Sequence, residues 1–159
     1  MNNHTSSLEF SHFPVMLNEV IKISSPSKGG NYIDCTFGGG GYSKQLLKFP
    51  KTIVKGLDRD KAVNIFAKKL EKKFPKRFKF HQIKFSQLDT LSQELVDVVI
   101  FDLGLSTIQL NDLERGFSFK SLKNLDMSMG LSKISAQDVI NNLSELNLKL
   151  IIKILGEEK

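Results

Sequence analysis

The chain has 159 residues and a formal net charge of +6, and 40% of its residues are hydrophobic, which is enough for one domain with a core. Its single cysteine excludes an intramolecular disulfide framework, and no Cys or His spacing matches a zinc site, so we expect no bound metal. No apolar run approaches the roughly 18 residues of a membrane span, and the N-terminus lacks a signal core, so we expect a soluble, cytoplasmic protein.

Helical and strand patterns alternate along the first two thirds of the chain. Residues 1–11 are polar and predicted to be flexible, and an amphipathic helix is predicted for residues 14–23. Strands are then predicted at 31–37, 52–57, 77–83 and 96–104, and helical segments at 42–49, 60–74 and 85–91. This alternation predicts an α/β fold with a doubly wound parallel sheet, in which the last and most apolar strand lies centrally.

The pattern changes after Gly104. Residues 105–130 are polar and aromatic with little periodicity, which indicates a long loop. Helices are predicted at 135–143 and 144–155, the first with Ser135 as its N-cap and Asp138 three residues later, close to a capping box.

Four successive glycines, Gly38–Gly41, lie between the first predicted strand and the next helix. Glycine permits positive φ and lets a ligand approach bare backbone, and the helix that follows offers free N–H groups. In doubly wound sheets this bend faces the ligand crevice. We therefore expect a nucleotide-like ligand here; the alternative is a merely flexible turn.

Two acids near these glycines bear on the choice of ligand. Ser43 stands where a dinucleotide fingerprint has its third glycine, and the chain has no phosphate-binding P-loop string. Asp34 precedes the glycines and would repel a pyrophosphate but attract an ammonium or sulfonium. Asp58 ends the second strand, where a carboxylate can bind ribose hydroxyls. The alternatives are a structural role for Asp34 and a helix N-cap role for Asp58.

Two further residues follow strands on the same side. Phe85 comes after the third predicted strand and could lie against an adenine ring, or could be an ordinary core residue. Asp102 ends the fourth strand, and a carboxylate that emerges from a buried strand needs a partner. A structural role for Asp102 is the alternative.

Positive charge is concentrated in residues 44–84, which contain 14 Lys and Arg residues against Asp58, Asp60 and Glu71. The surplus in this block exceeds the net charge of the whole chain, so the remainder is net acidic. Such a block can attract phosphate backbones, although a solvated lysine-rich helix face is the simpler interpretation.

Several strings occur in the order of one known family, and the run from residue 102 to residue 129 is the most specific. The chain resembles the bacterial ribosomal RNA small-subunit methyltransferase H (MraW) family. The strings are HFPVMLNEVI, YIDCTFGGGGYS, GLDRD, FSQLD, DLGLSTIQLNDLERGFSF and LDMSM.

The resemblance implies a Rossmann-like class I fold that binds S-adenosylmethionine (SAM). It implies methylation of N4 of a cytidine in the decoding region of 16S rRNA, with the small ribosomal subunit as partner. The implied SAM contacts are Gly40, Gly41, Tyr42, Asp58, Phe85, Asp102 and Gln109. The chain departs from the family pattern at Tyr42, where histidine is frequent, at Ile108, where proline is usual, and at Ser128, where arginine is usual.

Members of that family are about twice as long as this chain. By the resemblance, residues 12–105 form the SAM-binding half of an incomplete methyltransferase core, and residues 106–159 form a loop and the truncated start of a helical insertion. We therefore expect poor stability and reduced or no activity for the chain alone.

The chemistry implied is transfer of a methyl group to an exocyclic amine. Asp102 is the candidate group that accepts or positions the amine N–H, and Ser106 is a weaker candidate. The rival hypotheses are an NAD-dependent oxidoreductase, which Ser43 and Asp34 disfavour, and a basic RNA-binding module without catalysis.

Overall fold

The structure is a computed structural model that describes residues 14–91, 95–123 and 125–157. The prediction of a flexible segment at residues 1–11 lies outside these ranges. The helices are α1 (Leu17–Ser24), α2 (Gly41–Leu46), α3 (Asn64–Lys73), α4 (Thr107–Asn111), α5 (Ala136–Asn142) and α6 (Glu145–Leu155). The strands are β1 (Gly30–Asp34), β2 (Thr52–Leu57), β3 (Phe78–His81) and β4 (Val98–Ile100). Short 3-10 helices cover Pro26–Lys28, Lys61–Val63, Phe85–Thr90 and Leu113–Arg115.

The four strands form one parallel sheet in the order β3-β2-β1-β4, and this confirms the predicted α/β fold. The chain moves outward from β1 to β3 and then returns to the other side of β1. The strand order therefore reverses between β1 and β4, which is where open α/β sheets bind ligands.

Alternate residues of the strands enter two separate hydrophobic clusters, one on each face of the sheet. Tyr32 and Val54 belong to a large cluster that also contains residues of α1, α2 and α3. Ile33 and Leu57 belong to a smaller cluster beside the 3-10 helix Phe85–Thr90. Successive side chains of a strand point to opposite faces of the sheet, and this alternation decides which cluster each side chain enters.

Strand β4 does not lie where the sequence predicted it. It pairs only with β1 and forms an edge of the described sheet, so the prediction of a central position is wrong. Val98 and Ile100 pack into the large cluster, but Val99 is 40% exposed and Phe101 is 48% exposed. An apolar sequence indicates that both faces of a strand can be buried. It does not indicate which strands pair with it, so it could not predict the position of β4 in the sheet.

The other predicted elements are confirmed with shifted ends. The helix predicted at 60–74 begins as the 3-10 turn Lys61–Val63, and Asp60 is its N-cap, with Oδ1 accepting from the N–H of Ala62 at 3.0 Å. The predicted capping box of α5 is present: Ser135 Oγ accepts from the N–H of Asp138, and the Asp138 carboxylate accepts from the N–H of Ser135.

The chain divides into two compact units, Met1–Ile108 and Gln109–Lys159. The first contains the sheet. In the second, the segment predicted as a loop contains the 3-10 helix Leu113–Arg115 and is tied together by backbone bonds, such as Met127 N–H to Arg115 C=O at 2.8 Å. Helix α4 also falls within the predicted loop. In the described ranges, no helix is both long enough and apolar enough to cross a membrane.

Candidate functional site

The glycine bend, defined as Gly38–Gly41, requires glycine for two different reasons. Gly38 and Gly40 have positive φ values of 50° and 75°. A Cβ on Gly40 would lie 2.7 Å from the Phe37 ring, and one on Gly41 would lie 2.2 Å from Pro14. A Cβ on Gly39 would meet nothing within 4 Å, so its backbone is open to an incoming group. The bend is therefore held by packing and is more than a flexible turn.

Asp58, immediately after β2, holds the start of this bend. Its Oδ2 accepts from the N–H of Gly38 at 2.9 Å, and its Oδ1 accepts from the N–H of Asp60 at 2.9 Å. Burial raises the pKa of Asp58, and these backbone bonds oppose the rise. The alternative of an N-cap role is wrong, since Asp60 caps the following helix. Backbone N–H groups, including that of Arg59, use only part of the acceptor capacity of the carboxylate, so Asp58 could still accept from a ribose hydroxyl.

Asp34, at the end of β1, is fully buried beneath the bend. Its Oδ2 accepts from the hydroxyl of Ser43 at 2.7 Å, whereas Oδ1 has no partner among the described residues. Burial raises the pKa of Asp34 to about 6, although the Ser43 hydroxyl opposes this. The bond to Ser43 supports the structural alternative for Asp34 and explains why a serine occupies the position of the third glycine.

Asp102 follows β4 and contacts the same region. Its N–H donates to Thr36 Oγ1 at 2.8 Å, and its Oδ2 lies 3.4 Å from the hydroxyl of Tyr42. The Tyr42 hydroxyl also donates to the carbonyl of Val15, and burial, followed by the Asp102 charge, raises the pKa of Tyr42 to about 12. The buried Tyr42 ring thus links the start of α1, helix α2 and the end of β4.

Phe85 begins the 3-10 helix after β3 and is 44% exposed, so it is not an ordinary core residue. Its ring meets that of Phe101 edge to face, with centroids 5.6 Å apart. Two partly open aromatic faces therefore stand beside the ends of β3 and β4. The sequence interpretation missed Phe101, although its position just before Asp102 was a signal that could have found it.

The structure brings most of the predicted residues to the carboxyl ends of the strands. Asp58 binds Gly38 in the bend, Asp34 binds Ser43 just after it, and Asp102 lies beside Tyr42, so all three acids border the bend. Gln109 is buried on α4 and belongs to the second unit. Ser106 lies just before α4 and is partly buried. The contact of Thr36 with Asp102 was not foreseen.

A parallel sheet that reverses its strand order at β1 and β4, with a glycine bend and carboxylates at that point, defines a Rossmann-like α/β domain. The model of the MraW methylase family matches residues 9–159, and the chain belongs to this family.

Three relatives named "Ribosomal RNA small subunit methyltransferase H" illustrate the similarity. The protein of Neorickettsia sennetsu is 41% identical over 95% of this chain and 52% of its own length. The protein of Bartonella tribocorum is 43% identical over 93% of this chain and 44% of its own length, and that of Anaplasma phagocytophilum is 41% identical over 94% and 53%. The chain thus spans about half the length of these relatives.

A solved structure described as a putative rRNA-methylase from Clostridium thermocellum is also similar. It superimposes with a TM-score of 0.48 at 17% identity, covering 55% of this chain and 52% of that one.

Proposed function

We propose that the chain forms the cofactor-binding part of a SAM-dependent methyltransferase that modifies N4 of a cytidine in the decoding region of 16S rRNA. The observation that carries this proposal is the acidic crevice at the reversal of strand order. Asp34, Asp58 and Asp102 all lie at strand ends there, beside bare glycine backbone. The family description and the names of the relatives support methylation of small-subunit rRNA, and the choice of cytidine N4 rests on the family resemblance of the sequence.

The residues present fit a positively charged adenosyl donor. Asp34 is buried beneath the bend, and through its charge it favours a nearby cation and would repel the pyrophosphate of a dinucleotide. Asp58 keeps acceptor capacity for a ribose hydroxyl, and the open side of Gly39 permits close approach to backbone. Gly40, Gly41 and Phe85 are proposed contacts as well, with the Phe85 and Phe101 rings offering faces to adenine.

SAM supplies an electrophilic methyl group when it is bound. The chain's own contribution is to position the amine that receives it. The lone pair of a cytidine amine is delocalised into the ring, so an acceptor on the amine N–H must help it to localise. We assign this acceptor role to Asp102, whose backbone is fixed by Thr36 and whose carboxylate faces Tyr42. Holding the target base in the crevice requires that it leave its stack.

Calorimetric titration tests the proposal. The chain should bind SAM and S-adenosylhomocysteine but not NAD. In a separate assay, mass spectrometry of digested small-subunit rRNA should show any methyl group that is transferred on a cytidine. Binding of NAD without SAM would contradict the proposal.

A basic RNA-binding module without catalysis is the second candidate, and the charge block at residues 44–84 favours it. It would be recognised by salt-dependent RNA binding together with no measurable SAM affinity.

A further inference from the structure

A cavity of about 480 Å³ lies among α1, α2 and α3, on the helix-covered face of the sheet. We call it the lysine pocket. It is lined by four lysines and two aromatic rings, among other residues: Lys44, Lys48, Lys69, Lys73, Phe66 and Phe74. The pocket shares Gly41 with the glycine bend, but it contains none of Asp34, Asp58 or Asp102.

The four lysines place like charges around one cavity, and their mutual repulsion opposes folding. Lys69 and Lys73 are four residues apart on α3 and lie on one side of it, whereas Lys44 lies on α2 and Lys48 lies in the turn that follows α2. The two pairs line the same cavity, and burial and then the charge of Lys69 lower the pKa of Lys44. In the described part of the chain, no ion pair neutralises these four side chains.

The acids of the same basic block have other partners. Asp58 accepts from the N–H groups of Gly38 and Asp60, Asp60 accepts from that of Ala62, and Glu71 accepts from that of Phe80 at 2.9 Å. Each of these carboxylates accepts from at least one backbone N–H group. The positive surplus seen in the sequence is therefore a feature of the surface, and part of it converges on one cavity.

The two rings give the pocket a second kind of contact. The Lys44 ammonium lies 5.9 Å from the centre of the Phe66 ring, and the Lys73 ammonium lies 5.5 Å from that of Phe74. Single-stranded RNA presents phosphates and flat bases in alternation, and proteins bind it with cationic grooves and aromatic rings. A peptide segment of Asp and Glu alone would match the lysines but would offer no flat ring to the phenylalanines.

We propose that the lysine pocket is a docking site for a single-stranded RNA segment, separate from the crevice where the methyl group is transferred. The inference rests on the proposed function, in which RNA is the substrate. The pocket would hold a stretch of the rRNA at a distance from the target base, with phosphates on the lysines and a base against Phe66 or Phe74.

Matched triple variants of the full chain test the site. One carries Lys48→Gln, Lys69→Gln and Lys73→Gln; the other carries Lys28→Gln, Lys51→Gln and Lys79→Gln, which are exposed and outside the pocket. Binding of a labelled single-stranded RNA of about 16 nucleotides is measured by fluorescence anisotropy across a salt series. Lys44 is left intact because it donates to the carbonyl of Gly39 at 2.7 Å.

The pocket triple should bind RNA roughly 10- to 100-fold more weakly at low salt, and the slope of log K against log salt should fall by about 2, because about 0.7 is lost per phosphate contact in single strands. The control triple should change affinity by no more than about 3-fold, since only diffuse charge is removed. Equal losses in the two triples would overturn the proposal.

Two further readouts do not depend on the variants. RNA containing 4-thiouridine should cross-link to the unmodified protein within residues 44–48 or 66–74, which line the pocket; cross-links confined to other segments would overturn the proposal. Polyglutamate of equal charge should compete less well than unlabelled RNA, and equal competition would show a polyanion site without preference for RNA.

SAM titration separates this inference from the proposed function. Both triples should bind SAM as the unmodified chain does. If the pocket triple loses RNA binding and the control triple does not, the docking site is supported even if SAM fails to bind. If SAM binds normally and the two triples bind RNA equally well, the docking site is refuted and the proposed function stands.

Discussion

Asp34 illustrates what burial does to a single carboxyl group. It is fully buried, it accepts a hydrogen bond from the Ser43 hydroxyl, and burial raises its pKa to about 6. The unfolded chain releases this proton near the ordinary value of 3.8, while the folded chain keeps it to about 6. The folded state therefore binds more protons in that window, and stability falls as the pH rises from about 4 to about 6.

Asp34→Asn removes this titration. We expect the loss of unfolding free energy between pH 4 and pH 7 to shrink by up to about 3 kcal/mol, the equivalent of a shift of about two pKa units. Urea unfolding at several pH values measures it. Ser43→Ala should have the opposite effect, extending the decline to higher pH, because the Ser43 hydroxyl lowers the pKa of Asp34. An unchanged pH profile in Asp34→Asn would contradict the assignment.

Asp58 is the residue on which ribose recognition should depend. In Asp58→Asn one oxygen remains to accept from backbone, but the charged acceptor is lost, and hydrogen bonds to charged groups contribute roughly 1.5–3 kcal/mol. We expect SAM to bind about 10- to 100-fold more weakly by calorimetry. Asp89→Asn, at an exposed position of the 3-10 helix Phe85–Thr90, is the control and should leave SAM affinity unchanged. Equal affinities in the two variants would contradict the role of Asp58.

At the scale of elements, two glycines of the bend should have different roles, one in stability and one in binding. Gly40 has φ 75° and its Cβ would enter the Phe37 ring, whereas Gly39 has open space. Gly40→Ala should lower the unfolding free energy by about 1–3 kcal/mol, because it adds both strain and a clash. Thermal unfolding measures this.

Gly39→Ala is the matched change. It should alter stability by less than about 1 kcal/mol, because nothing lies near the added methyl group. It should nevertheless weaken SAM binding by about tenfold if the cofactor approaches bare backbone there. Normal SAM affinity in Gly39→Ala would place the cofactor away from Gly39.

The elements themselves were largely predictable, because their signals are local. The bounds of β2 agree with the prediction, and the cap of α5 was read from Ser135 and Asp138. The acids and glycines of the site were also identified from their places at predicted strand ends. The position of β4, the bond between Ser43 and Asp34, and the pairing of Phe85 with Phe101 were not predictable, since each depends on which elements become neighbours in space.

At the scale of the molecule, burial is distributed unevenly. Among the described residues, every buried hydrophobic side chain except Phe117 lies in the first unit. The second unit is held mainly by local bonds, such as the one from the Arg115 side chain to the carbonyl of Ser128 at 2.8 Å. The composition of the whole chain, averaged over both units, conceals this difference.

Helix α6 has an apolar stripe on its surface. Leu146, Leu150 and Ile154 follow one another at intervals of four residues and are all exposed, Leu146 by 76% and Ile154 by 63%. Contiguous exposed apolar surface of this kind marks an interaction site or a tendency to associate, whereas isolated exposed residues such as Ile23 and Ile65 are ordinary.

The double variant Leu146→Gln and Ile154→Gln should therefore reduce binding of the dye ANS and concentration-dependent association in sedimentation experiments. Its thermal unfolding should change by little, because neither side chain is buried. Ile23→Gln with Ile65→Gln removes a similar amount of exposed apolar surface at scattered positions and should leave both measurements unchanged. If the two double variants change ANS binding and association equally, the stripe on α6 does not mediate the association.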